Sequence, residues 1–175
     1  MSVIAKHHVS KVIDRILGRN NCVPITFVLN SDWGNGRGAT WSAGVMAFKS
    51  MSFGEKLVGV GPDCFSQYVY MEPEIENLLY NVFGNARLTN SHNEWLTILI
   101  NLGVCGFLAY IAVFATAIFR QIKAGKSIEI ALISGICILT YTIHNMVSFQ
   151  QVICTPVVFI LLGMGESILC REKEK

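Results

Sequence analysis

Charge is what this chain has least of. Of its 175 residues only 15% are Asp, Glu, Lys or Arg, against about 25% in soluble domains. That shortage, beside a hydrophobic content of 52%, points to a membrane protein. A net charge of +2 excludes a nucleic-acid-binding surface or a strongly acidic partner. No CxxC and no His/Cys cluster at ligand spacing occurs, so neither a metal nor another cofactor is expected. Cys105, Cys137 and Cys154 lie in apolar runs, where cysteine behaves as a small hydrophobe. Only Cys22 and Cys64 stand where a disulfide could form, and no other feature points to one. Residues 1–10 lack the basic start and apolar run of a signal peptide. An upstream segment is therefore the expected means of carrying the first half across a membrane.

The apolar residues concentrate after Leu96, while residues 1–96 hold eight of the fourteen Lys and Arg. Residues 97–119 are uncharged over 23 positions, enough at about 1.5 Å per residue to cross a hydrocarbon core of roughly 30 Å. Residues 128–148 and 152–169 read as two further spans, the last with Pro156 in its first turn, where proline is tolerated. Arg120, Lys123 and Lys126 follow the first span, and Arg171, Lys173 and Lys175 follow the third. The positive-inside rule places both basic segments, including the tail 170–175, in the cytoplasm. The expected protein is an all-α, multi-pass protein in membrane lipid, with residues 1–96 extracytoplasmic.

Within that polar half, Val9, Val12, Ile13, Ile16 and Leu17 share one helical face and suggest a short amphipathic helix. Residues 23–29 form an apolar run that fits a strand or the end of an apolar segment. Trp41, Val45, Met46 and Phe48 are near helical spacing, so a helix starting near Gly38 is expected. Residues 57–63 read as a turn, and 64–70 and 74–82 as short helices. No internal repeat or low-complexity segment is present.

His92 and Asn93, followed after nine residues by Gly103-Val104-Cys105-Gly106, form the most telling pattern. It places a titratable imidazole at the outer threshold of the first span, where chemistry on a lipid-linked substrate needs one. Each nearby residue has two readings. His92 is a base or a structural residue at the helix entrance, and Asn93 orients the imidazole or caps the helix. Arg87 contacts an anionic substrate or is solvated. Asp63 and Glu94 orient His92 or are solvated acids. Gly34 to Gly38 could form an amide nest but lacks a full phosphate-loop pattern, and reads as flexibility near Arg37. Gly103 and Gly106 read as packing residues. His144, in the second span, reads as a buried hydrogen-bonded residue rather than a functional one. His7 and His8 carry no usable spacing.

Taken together, Arg37-Gly38-Ala39-Thr40-Trp41, Leu57-Val58-Gly59-Val60-Gly61-Pro62-Asp63, Ser91-His92-Asn93-Glu94-Trp95-Leu96 and Gly103-Val104-Cys105-Gly106 resemble the C-terminal part of the O-antigen ligase and polymerase family. Its members are polytopic bacterial membrane glycosyltransferases. The resemblance implies transfer of a glycan from undecaprenyl diphosphate to a glycan, lipid or protein acceptor, outside the cell and without metal or nucleotide sugar. It implies His92 as general base on the acceptor hydroxyl and Arg37 as a bidentate clamp on the diphosphate. Arg87 and Asn93 join them as substrate-binding candidates. Because the resemblance covers only the last part of longer proteins, the chain is expected to be a fragment of such an enzyme, or to work with an upstream membrane subunit. The alternative is a non-catalytic membrane protein or split subunit that binds polyprenyl-linked glycans.

Overall fold

The computed structural model describes residues 31, 33–124 and 129–173. The expectations for 9–17 and 23–29, and Cys22, lie outside them; Cys64 carries a free thiol. The described residues form seven helices and no strand: α1 (Trp33–Ser50), α2 (Phe53–Val58), α3 (Phe65–Val69), α4 (Pro73–Phe83), α5 (Glu94–Ala124), α6 (Glu129–His144) and α7 (Cys154–Lys173).

Helix α1 opens on three left-handed residues, Gly34 (φ 63°), Asn35 (φ 61°) and Gly36 (φ 85°), before turning right-handed at Arg37. Glycine and asparagine are the residues that adopt this conformation at least cost. The buried face of α1 is Gly36, Ala39, Thr40, Ala43, Gly44 and Ala47, not the large residues that the sequence pattern suggests. Val45 is 46% exposed. Small side chains win this face because they admit their neighbours closely: the Leu96 side chain occupies the space over Gly44, and the Phe83 ring that over Gly36.

Helix α2 takes up residues assigned from sequence to the start of a turn. A capping box starts it, with the Glu55 N–H donating to Ser52 Oγ at 3.4 Å and the Ser52 N–H to Glu55 Oε2 at 2.8 Å. Hydrogen bonding from the Ser52 side chain, and then from its backbone, holds the Glu55 carboxyl below its ordinary pKa. Pro73 begins α4, where its missing N–H costs nothing. Ala39, Ala43, Ala47 and Met51 of α1, Phe65 and Val69 of α3, Ile75 and Leu79 of α4, and Ile100 of α5 form one core.

Helix α5 is broken at Gly103 (φ 66°, ψ −173°). The break falls inside the stretch 97–119, which reads from sequence as an uninterrupted span. Breaking a helix frees carbonyls, and here two of them are taken by the turn after α2: the Val60 N–H donates to Ile100 O at 3.1 Å and the Gly61 N–H to Asn101 O at 3.0 Å. This backbone-to-backbone stitch leaves no room for a Cβ on Gly59 or Gly103. The upper segment, 94–102, thus belongs to the helical cap. The lower segment, 104–124, packs with α6 and α7 around Phe114, Ile138 and Val158.

Among the described residues two helices are long and apolar enough to cross a membrane, Glu94–Ala124 and Cys154–Glu172. Glu129–His144 is apolar but has 16 residues, about 24 Å of helix. The outer surface of the bundle is apolar too, with Leu108, Phe119, Ile133, Ile143, Ile160 and Met164 all exposed. Ser134 is buried and its Oγ donates to Leu161 O at 2.8 Å, while exposed Arg120 pairs with the partly buried Glu166 at 3.0 Å.

Candidate functional site

The segment leading into α5 is held by a small hydroxyl network. Ser91 is fully buried. Its N–H donates to Thr97 Oγ1 at 3.3 Å, and its hydroxyl donates to Asn93 O at 2.7 Å. Its carbonyl accepts the Thr40 hydroxyl at 2.8 Å, and that hydroxyl also lies 3.0 Å from Arg37 O. One side chain on α1 therefore ties the backbone at Arg37 to the residue preceding His92. Asn90 completes the turn, its Oδ1 accepting the His92 N–H at 3.0 Å, and His92 takes a left-handed φ of 53°.

These bonds bring Arg37 and His92, 55 positions apart in sequence, into electrostatic range. The imidazole is half-buried, with its ring edge-on to Phe149 at 5.4 Å between centroids. Burial holds its pKa below the ordinary value, the Arg37 charge adds to the shift, and the Asn90 backbone partly opposes it. Burial and the Arg37 charge both favour the neutral form of the ring.

Three polar atoms here are buried without a partner: His92 Nδ1, Arg37 Nε and Trp41 Nε1. Arg37 and Trp41 lie one helical turn apart on α1. Arg37 spends one donor on Gly34 O at 3.1 Å, which steadies the left-handed turn. Trp33 packs edge-on against Trp41 at 5.3 Å. Arg37 thus keeps its Nε–H, and Trp41 its indole N–H, without a protein partner.

The other sequence candidates occupy different positions. Asn93 caps α5, its Oδ1 accepting the Leu96 N–H at 3.1 Å, which settles its side-chain oxygen on the capping reading. Arg87 is exposed and stacks over the Tyr70 ring at 5.1 Å. Glu94 is 4% exposed, and its Oε2 accepts the Gln150 N–H at 3.0 Å, so it anchors the α6–α7 connection. Its own N–H points to Asn145 O and Ser148 O, both at 2.9 Å. His144 is exposed rather than buried, because α6 ends at that residue. Gly103 breaks the helix and also admits the backbone at Leu57 and Gly59 closely, as a packing residue does.

Thr40, Ser91 and Thr97 are the site residues that pattern reading passes over. The signal lies in the composition of 89–93, where Thr, Asn, Ser and Asn crowd a helix start as capping residues do. Asn90 and Phe149, which both touch His92, also line a cleft of about 350 Å³ with Asp63, Glu94, Asn101 and Gln150. No family model matches the chain, and neither a curated protein nor a solved structure does.

Proposed function

We propose that this chain is the C-terminal part of a bacterial membrane glycosyltransferase of the O-antigen ligase and polymerase type. It transfers a glycan from undecaprenyl diphosphate to an acceptor hydroxyl in cell-surface polysaccharide assembly. The observation that carries this reading is the meeting of Arg37 with a neutral His92, each with an unpartnered buried nitrogen. A sugar hydroxyl needs a base as it attacks the anomeric carbon, and the imidazole supplies one. The diphosphate leaves as an anion and needs positive charge and hydrogen bonds rather than an acid, which a guanidinium supplies.

In this reading the lipid meets the chain below Gly103. Residues 104–124 make about 31 Å of helix, a full hydrocarbon thickness on their own. The cap, with His92 above the break, then stands in the extracytoplasmic water. Helix α6, extended by the turn after His144, is the middle span, and the basic segments at 120–126 and 171–175 are cytoplasmic. In a chain with its native cysteines replaced, a cysteine placed at Thr89 is expected to react with an impermeant thiol reagent in intact cells, and one at Lys123 is not. The opposite pattern overturns the topology.

Arg37→Lys tests the clamp. An ammonium keeps the charge but not two parallel hydrogen bonds, so glycan transfer in the native membrane context is expected to fall about tenfold or more. Wild-type transfer by an equally abundant Lys variant removes Arg37 from the diphosphate site.

A further inference from the structure

We infer that the cleft bounded by the turn after α2, the upper half of α5 and the α6–α7 connection is the binding site for the acceptor saccharide, and that it selects neutral or amino sugars over acidic ones. The inference rests on the glycosyltransferase reading, because it assigns the second substrate of the same reaction.

The cleft holds about 350 Å³ and is lined by Asp63, Asn90, Glu94, Asn101, Phe149 and Gln150 among others. Amides, carboxylates and one aromatic ring are the groups that recognise a hydroxyl-rich, weakly apolar ring. Asn101 supplies an independent sign of a ligand: it is 8% exposed, it lines the cleft, and its Oδ1 has no partner. A buried amide oxygen left unpaired costs stability unless a donor reaches it, and a sugar hydroxyl is such a donor. The helix break explains how the wall is built. The Gly61 N–H bonds to Asn101 O at 3.0 Å, which brings the Gly-Pro-Asp turn, and with it Asp63, against the upper half of α5.

Electrostatics then separate the two substrates. Exposed Asp63 supplies the charge in the lining, Glu94 adds a buried carboxyl whose pKa burial raises, and Arg37 is outside it. Such a wall repels a diphosphate or a uronic acid and favours a neutral or protonated amino sugar. Asn90 bonds the His92 N–H and Phe149 touches the imidazole ring, so a saccharide in the cleft is one residue away from the base.

Binding of three soluble trisaccharides to the detergent-solubilised full chain, followed by ligand-observed NMR, tests this without requiring transfer. The probes are maltotriose, a glucosamine trimer and a galacturonic acid trimer. The glucosamine trimer is expected to bind most tightly, maltotriose more weakly and the galacturonic acid trimer not at all. Asp63→Asn retains a side chain that tolerates the local left-handed φ of 59° and is expected to weaken the glucosamine trimer about tenfold, while the same charge removal at Glu76→Gln, on an exposed acid of α4 outside the cleft, leaves it unchanged. Equal binding of all three probes, saturable binding of none, or an Asp63→Asn variant with wild-type affinity overturns the assignment. If this pattern appears but native membranes show no transfer, the cleft stands and the transferase reading falls. If transfer proceeds but the probes bind without discrimination, the reverse holds.

Discussion

Gly103→Ala is expected to destabilise the chain by about 3 kcal/mol or more and to lower its thermal unfolding midpoint in detergent by roughly 6 °C or more. Two penalties combine. At φ 66° and ψ −173°, Gly103 occupies a backbone region that is essentially restricted to glycine, and Gly59, at φ 82° and ψ 178°, occupies the same region. The added methyl also meets the Gly59 backbone and the Leu57 carbonyl, which cannot rotate away as a side chain could. Relief requires separating the turn from α5, which unmakes the bonds from Val60 to Ile100 and from Gly61 to Asn101 and strands two carbonyls. Gly163→Ala on α7 is the control, because a Cβ there meets nothing within 4 Å. It is expected to be neutral or to stabilise by up to about 1 kcal/mol. Equal midpoints for the two variants would show that the break is not held by this contact.

What the sequence discloses and what it hides divide along physical lines. Helices lie at Phe65–Val69 and Pro73–Phe83, where large apolar residues recur at helical spacing. The buried face of α1 escapes the same reading because alanine and glycine carry little hydrophobic signal, and their burial depends on Leu96 and Phe83 arriving from other helices. The break at Gly103 is invisible in an uncharged run, since it is stabilised by a turn more than forty positions earlier. Helix α2 went unread, although Ser52 and Glu55 carry the capping-box spacing that marks its start. Within the site, His92 and Arg37 stand out as residue types able to act on a diphosphate-linked sugar. Their meeting does not stand out, for it depends on the Thr40 hydroxyl bridging two backbone segments.

His92→Ala is expected to lower glycan transfer by a factor on the order of 10² to 10⁴ while leaving membrane insertion intact. Its ring lies above the break, whereas 104–124 supply the apolar length for insertion. The main-chain bonds around it belong to Asn90, Ser91 and Asn93 and survive truncation of the ring. Loss of the edge contact with Phe149 is a small packing change by comparison.

The pH dependence follows from the direction of the shift. Burial and Arg37 lower the imidazole pKa, so the neutral form persists to more acid pH than for a free histidine, whose pKa is about 6.5. Transfer is expected to hold constant through neutrality and to decline only as pH falls below about 6.5, where the ring takes up a proton and can no longer accept one.

The most direct measurement compares transfer by wild type and His92→Gln across this pH range, in the same membranes and at equal abundance. Glutamine keeps a polar side chain but takes up no proton near neutrality. With His92 as base, the wild type shows the acid limb, and the Gln variant is slower by a factor on the order of 10² or more at neutral pH. Comparable transfer by the Gln variant, or an acid limb that persists unchanged in it, would contradict the assignment and leave His92 a structural residue.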